Sequence, residues 1–148
     1  MRTTATFLRA SDELEIHTPD LEATKWWPGG LGLTANHAMV FARLLVDGKD
    51  HGVHNFIVPL RDAATHELLP GVHTGDIGPK IGYNTMDNGH ASFDHVRIPR
   101  ANMPCRYATL TREGARAWAR ARSNANPDPN PNPNPNPDPN PDPDPNAD

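Results

Sequence analysis

The residues best able to do chemistry in this 148-residue chain are Lys25-Trp26-Trp27-Pro28-Gly29-Gly30-Leu31-Gly32. Each indole offers a large apolar face and one N–H that seeks a partner. The glycines beside them let backbone N–H groups approach a ligand with no Cβ in the way. Two indoles running into a proline and three glycines suit a surface on which a planar, hydrogen-bonding ligand lies. Adjacent strand residues point opposite ways, so one indole can sit in the core while its neighbour faces a pocket or a partner. The Pro-Gly-Gly-Leu-Gly that follows reads as an irregular loop at a strand end, where ligand contacts concentrate.

Other motifs carry less. Gly30-x-Gly32-x-x-Ala35 matches the relaxed dinucleotide fingerprint, and Asp47 and Asp50 lie near the distance of a ribose-binding acid. That fingerprint needs a strand before it and a helix after it. Here Trp-Trp-Pro precedes it and an Asp-Gly hairpin signal follows, and no Gly-Lys-Ser/Thr is present to build a phosphate loop. Among the eight histidines, His51 and His54 invite a metal most, yet residues i and i+3 of a strand face opposite sides. No metal site is expected, and the histidines are read as surface or core residues. Asp76, Asp87 and Asp94 sit at glycine turns or on a strand, where Asp serves caps and loop hydrogen bonds, so none is assigned as a base.

The elements that position the Trp-Gly stretch read as strands. Thr3–Arg9 is rich in β-branched and aromatic residues, Ser11-Asp12 is a turn pair, and Leu14–Thr18 alternates apolar with polar, which makes a hairpin. Periodicity alone leaves Asn36–Val46 open between helix and strand. Asp47-Gly48 and the apolar run Val53–Leu60 after it favour a second hairpin, with residues 51–53 as turn or the start of the next strand. Pro70-Gly71 introduces a short strand at Val72–Ile77, Gly78–Gly89 is loop, and Ala91–Ile98 alternates as one strand that Pro99 ends. Six strands with short turns and no convincing amphipathic helix before residue 100 predict an all-β fold, an antiparallel β-barrel or sandwich.

The folding part is expected to end near residue 111. Residues 112–123 are a basic Arg/Ala linker, free to form a short helix. Residues 124–148 alternate Pro with Asn or Asp and hold 10 of the 17 prolines, so a stiff, solvated, disordered tail is predicted. All 14 Lys and Arg precede Asn124 while 5 of the 18 Asp and Glu follow it, so the body is near neutral and the net charge of −4 belongs to the tail. A near-neutral body has no footprint for nucleic acid. One cysteine excludes an internal disulfide, and no run approaches the ~20 apolar residues of a membrane span.

Thr24–Gly32, Asn36-His-Ala, Gly75-Asp-Ile-Gly-Pro-Lys-x-Gly82, Met86-Asp-Asn-Gly89 and Phe93-Asp-His-Val-Arg-Ile-Pro-Arg100, in this order and spacing, resemble the middle β-domain of the peroxisomal acyl-CoA oxidases, from about Arg2 to about Thr111. The resemblance implies FAD as cofactor and fatty acyl-CoA as substrate, converted with O2 to trans-2-enoyl-CoA and H2O2 in the first step of peroxisomal fatty acid β-oxidation. It implies cofactor contacts from Gly29 and Gly30, with Trp27 as the apolar wall, and a homodimer for the full-length proteins. The family's upstream flavin-contacting Thr-Glu-x-Gly-His-Gly segment and its downstream general-base Glu fall outside the matched stretch, and Leu33 stands where the family often has Lys. The expectation is therefore a fragment that carries part of a flavin surface and is inactive alone, the alternative being a non-catalytic β-domain that acts as a protein-interaction module. Location is expected to be peroxisomal by family, and cytoplasmic for the chain as it stands, since it shows no targeting motif.

Overall fold

The computed structural model describes residues 1–104 and 108–117. The expectation of a disordered tail over residues 124–148, and the end of the linker from residue 118, lie outside the described residues. The first hairpin forms as predicted, with β1 (Thr4–Leu8) and β2 (Glu13–His17) paired from Thr4↔His17 to Leu8↔Glu13. Its alternation places Ala5, Phe7, Leu14 and Ile16 in the core. A short 3-10 turn at Leu21–Ala23 leads to β3 (Lys25–Trp26).

β4 (His37–Val46) and β5 (Lys49–Pro59) form the second hairpin. The alternating burial of Val40, Ala42, Leu44 and Val46 settles the helix-or-strand ambiguity in favour of strand. Asp47 and Gly48 take φ values of 51° and 76°, the left-handed pair of a type I′ turn. Pairing runs from Val46↔Lys49 through a bulge between Arg43 and Leu45, so residues 51–53 belong to β5 rather than to the turn.

β6 (Val72–Asp76) pairs with β7 (Gly89–Phe93), and β8 (Val96–Pro99) returns to β2. The single strand expected over Ala91–Ile98 is thus two. His95 takes φ 51°, and the kink at Asp94-His95 carries the chain out of one sheet and into the other. The cause is burial: Phe93, Val96 and Ile98 are all buried, and strict alternation would turn Phe93 away from the other two. Gly71 makes room for the kink. Its carbonyl accepts from the Asp94 N–H (2.8 Å), and a Cβ there would meet the Asp94 oxygen at 2.4 Å.

The last described elements are β9 (Ala108–Thr111) and β10 (Gly114–Ala117), an antiparallel hairpin. Residues 114–117 are therefore strand, a correction to the helix left open for the start of the basic linker. Overall the strands make a five-stranded sheet ordered β5-β4-β1-β2-β8, a three-stranded sheet ordered β3-β7-β6, and the β9–β10 hairpin, all contributing to one core. Two features bear on the predicted antiparallel barrel or sandwich. β1 and β4 pair parallel, from Thr4↔Arg43 to Thr6↔Leu45, because the chain crosses through β3 in the other sheet before coming back beside β1. The sheets stay open, with β5 and β8 as edges of the larger one.

One polar clamp ties the ends of this arrangement together. Arg100 donates from Nε to Asp12 Oδ1 (2.7 Å), from a terminal nitrogen to Asp12 Oδ2 (3.3 Å) and from the other to the Leu110 carbonyl (2.8 Å), joining the β1–β2 turn to β9. The hydrogen bond from Arg100 holds the Asp12 carboxyl below the usual carboxylate range. A depressed carboxyl contributes stability that is complete above its unfolded pKa and is lost as pH falls through the folded value. The urea midpoint should hold from pH 7 down to about pH 4 and drop below it. Arg100→Ala should flatten that acid limb, and an unchanged slope would remove the clamp from the account. Phe56→Ala, in a fully buried site, should cost about 3–5 kcal/mol in urea unfolding.

Candidate functional site

The Trp-Gly stretch folds against the loop before β7. At Trp27 the backbone leaves β3 with φ 87°, a conformation few bulky residues adopt. It is held there from both sides. The Trp27 N–H donates to the Gly89 carbonyl (2.9 Å), and the Asn88 side-chain amide donates to the Trp27 carbonyl (2.7 Å). Gly89 N–H returns a bond to the Pro28 carbonyl (3.1 Å), and Gly32 N–H donates to the Asp87 carbonyl (3.1 Å). One Asp87 carboxylate oxygen accepts from Leu33 N–H (3.0 Å), Thr34 N–H (2.9 Å) and the Thr34 hydroxyl (3.0 Å). Burial pushes the Asp87 carboxyl up, and these donors together outweigh it, so it lies below the usual range. Asp87 is thus a loop anchor, as its sequence context suggested, and Asp76 caps its own turn through Gly78 N–H (2.6 Å).

The approach of the two loops requires glycine. A Cβ on Gly89 would lie 2.3 Å from the Gly32 nitrogen, and one on Gly32 would lie 2.9 Å from the Asp76 Cα. Gly30 takes φ 76°, and a Cβ on Gly29 would press on Met86 Sδ at 3.2 Å.

Beside this loop lies an apolar groove of about 470 Å3, within the range of small-molecule sites. Trp26, Gly29 and Leu31 form one side, Met39 and Phe41 of β4 the other, and Phe93 contributes from β7. Trp26 stacks on its cross-strand partner His90 (5.9 Å, 16°). Lys25 donates to the Phe41 carbonyl (2.8 Å), and burial pulls its ammonium below the ordinary lysine range. Among the described residues no carboxylate lines the groove.

The structure places the expected residues unevenly. Gly29 lines the groove, whereas Trp27 and Gly30 lie on the adjoining loop without lining it. Both indoles are exposed, Trp26 at 62% and Trp27 at 53%, so the expectation of one in the core is corrected. Strand alternation ends at Trp26, and the left-handed turn at Trp27 swings the second indole outward as well. Met39 and Phe41 were missed as site residues. The outward phase of β4, where Met39 and Phe41 fall opposite Val40 and Ala42, carried that signal. His51 and His54 do not bring their rings together; the His54 ring nitrogen contacts the His51 carbonyl (3.2 Å).

Gly89→Ala should destabilise the chain by about 1–3 kcal/mol in urea unfolding, because the facing atoms are backbone and cannot give way. Gly82→Ala, with open space around it, should stay within about 0.5 kcal/mol of the parent. Equal losses would show that the loop contact bears no weight.

No family model matches the chain. The chain is 56% identical over 117 residues to peroxisomal acyl-coenzyme A oxidase 1 of Arabidopsis thaliana, a match that covers 77% of this chain and 18% of that protein. The solved structure of Arabidopsis thaliana acyl-CoA oxidase 1 superposes with a TM-score of 0.77 at 53% identity, over 79% of this chain and 18% of that one. Acyl-CoA oxidase-1 of Caenorhabditis elegans, solved with FAD and ATP, superposes with a TM-score of 0.76 at 47% identity, over 77% of this chain and 17% of that one. The chain thus spans about a fifth of the length of the curated relatives it matches. Half-identical in sequence and alike in fold over that span, the chain is the counterpart of one β-structured segment of the peroxisomal acyl-CoA oxidases.

Proposed function

We propose that this chain forms one wall of the flavin site of an FAD-dependent acyl-CoA oxidase and does not turn over by itself. The observation that carries the reading is the apolar groove between Trp26, Gly29 and the outward face of β4. Its residues fit a flat aromatic ring system. The Trp26 indole and Phe41 supply apolar surface, and Gly29 leaves the loop backbone uncovered where a side chain would already press on Met86. Trp27 and Gly30, on the loop margin, complete the set assigned to the cofactor. FAD, when bound, supplies the hydride acceptor for oxidation of a fatty acyl-CoA with O2 as the final oxidant.

The chain's own residues do the rest by shape. Trp26 and Leu31 exclude water from the groove, Lys25 fixes the spacing between β3 and β4, and the Asp87 and Asn88 bonds hold the glycine loop in a single conformation. Proton removal from the acyl Cα needs a base, and no carboxylate lines the groove among the described residues. Exposed Met39, Phe41, Val53 and Ile57 also leave β4 and β5 with an apolar outer face, as expected of a segment that other parts of an oxidase cover.

Ordering FAD on one wall must overcome about 4–15 kcal/mol of lost translational and rotational freedom. The purified chain should therefore quench its tryptophan fluorescence on titration with FAD only weakly, should lose flavin on gel filtration, and should form no peroxide from a fatty acyl-CoA. Gly29→Val should abolish the quench. A stoichiometric flavin band that survives gel filtration would overturn the single-wall reading, and a quench indifferent to Gly29→Val would remove the groove from it.

A further inference from the structure

Away from the groove, at the far end of β7, three side chains converge that the flavin reading does not use. His17 ends β2, and Asp94 and His95 make the kink between β7 and β8. One ligand atom from each of the three residues lies within 4.8 Å of the other two. We propose that His17, Asp94 and His95 bind one divalent transition-metal ion of the zinc class, which clasps the junction of the two sheets.

Three features of the cluster support this. The distances from Asp94 Oδ1 to His17 Nδ1 (3.9 Å) and to His95 Nε2 (3.8 Å) are too long for hydrogen bonds. They are close to the separation of about 3.4 Å expected between two ligands that each lie ~2.1 Å from one tetrahedral ion. His17 Nδ1 is buried and has no hydrogen-bond partner, although Asp94 Oδ1 lies 3.9 Å away. The third feature is orientation. Glu15 Oε1 lies 3.0 Å from His95 Nδ1, a carboxylate within reach of that nitrogen, while Nε2 is the nitrogen on the Asp94 side, 3.8 Å from Asp94 Oδ1. A carboxylate behind a histidine is the arrangement that orients metal-ligating imidazoles.

The donor set chooses the ion. Two imidazole nitrogens and one carboxylate oxygen suit zinc, nickel, cobalt or copper, whereas calcium and magnesium want six or more oxygens. The two imidazole rings stack at 4.1 Å and 21°, so both lone pairs reach one ion only when His95 turns out of the stack. Its side chain is 57% exposed, which leaves room for that turn, with Glu15 as the contact that must follow it. Asp94 is exposed, and behind Glu15 lies Arg97, 3.9 Å from it and 3.9 Å from Glu13.

The clasp has a mechanical meaning. β2 and β8 belong to the five-stranded sheet and β7 to the smaller one, and they meet here through Thr18 N–H to the Phe93 carbonyl (2.8 Å) and Phe93 N–H to the Thr18 hydroxyl (3.1 Å). An ion held by His17 and by Asp94 and His95 would cross-link the same junction, so binding should stabilise the folded chain.

The test uses the full chain, stripped with a chelator and titrated calorimetrically with Zn2+. One saturable equivalent is expected, with a melting temperature that rises with Zn2+ concentration. His95→Ala, at an exposed position, should keep the parent's circular dichroism and lose both the equivalent and the shift. Glu15→Gln keeps all three ligands and should weaken binding by about 10–100-fold. A joint His51→Ala and His54→Ala variant should bind as the parent does. Absence of a saturable equivalent, the same affinity in His95→Ala, the same affinity in Glu15→Gln, or equal affinity for Ca2+ would each overturn the proposal.

Discussion

The approach of Gly32 to Gly89 is the constraint from which the rest of the site follows. No side chain fits between them, so the two loops meet backbone to backbone, and the N–H groups of Leu33 and Thr34 turn toward one nearby carboxylate, Thr34 also donating to the Gly30 carbonyl (3.1 Å). Asp87 is that carboxylate. Its position two residues before Gly89 also fixes where Asn88 falls, and Asn88 in turn holds the Trp27 carbonyl in a turn that a bulky residue would otherwise avoid. The loop geometry beside the groove is thus a consequence of Asp87-Asn88-Gly89 as much as of Trp26-Trp27-Pro28-Gly29.

That mutual dependence explains what could be read from the chain and what could not. Local chemistry wrote both hairpins plainly: Asp47-Gly48 demanded a left-handed turn, and alternating apolar residues on each side gave the faces. Long-range contacts wrote the rest. Nothing local to Trp26-Trp27 says that Asn88 will turn the second indole outward, and nothing local to Ala91–Ile98 says that Gly71 will accept a kink at Asp94. A run that alternates perfectly was therefore two strands in two sheets. The two-residue β3 was invisible because its partner β7 defines it.

The parallel pairing of β1 with β4 has the same origin. A hairpin followed by a hairpin suggests an antiparallel meander, and only the excursion of β3 into the smaller sheet reverses the direction in which the chain returns. This excursion also makes the groove, since it sets Trp26 across from the outward residues of β4. Fold departure and candidate site are one event. The family resemblance pointed to the glycine loop that borders the groove, while the physics of the crossing decided that Trp26, rather than Trp27, lines it.

β7 connects everything that can act. Five residues at about 3.3 Å each span roughly 17 Å, from Gly89 at the glycine loop, through Ala91 and Phe93, which both line the groove, to the kink at Asp94 where the histidine cluster begins. A slip of one residue would exchange the faces of the whole strand, moving Ala91 and Phe93 out of the core and breaking the Trp26–His90 stack. Register must therefore be fixed, and it is fixed at both ends: by the Gly32–Gly89 contact at one and by the two Thr18–Phe93 hydrogen bonds at the other. An ion at His17, Asp94 and His95 would reinforce the second anchor without touching the groove. The strand that shapes the ligand surface is then held by contacts made outside it, and for that reason the groove can leave its aromatic residues uncovered without losing its form.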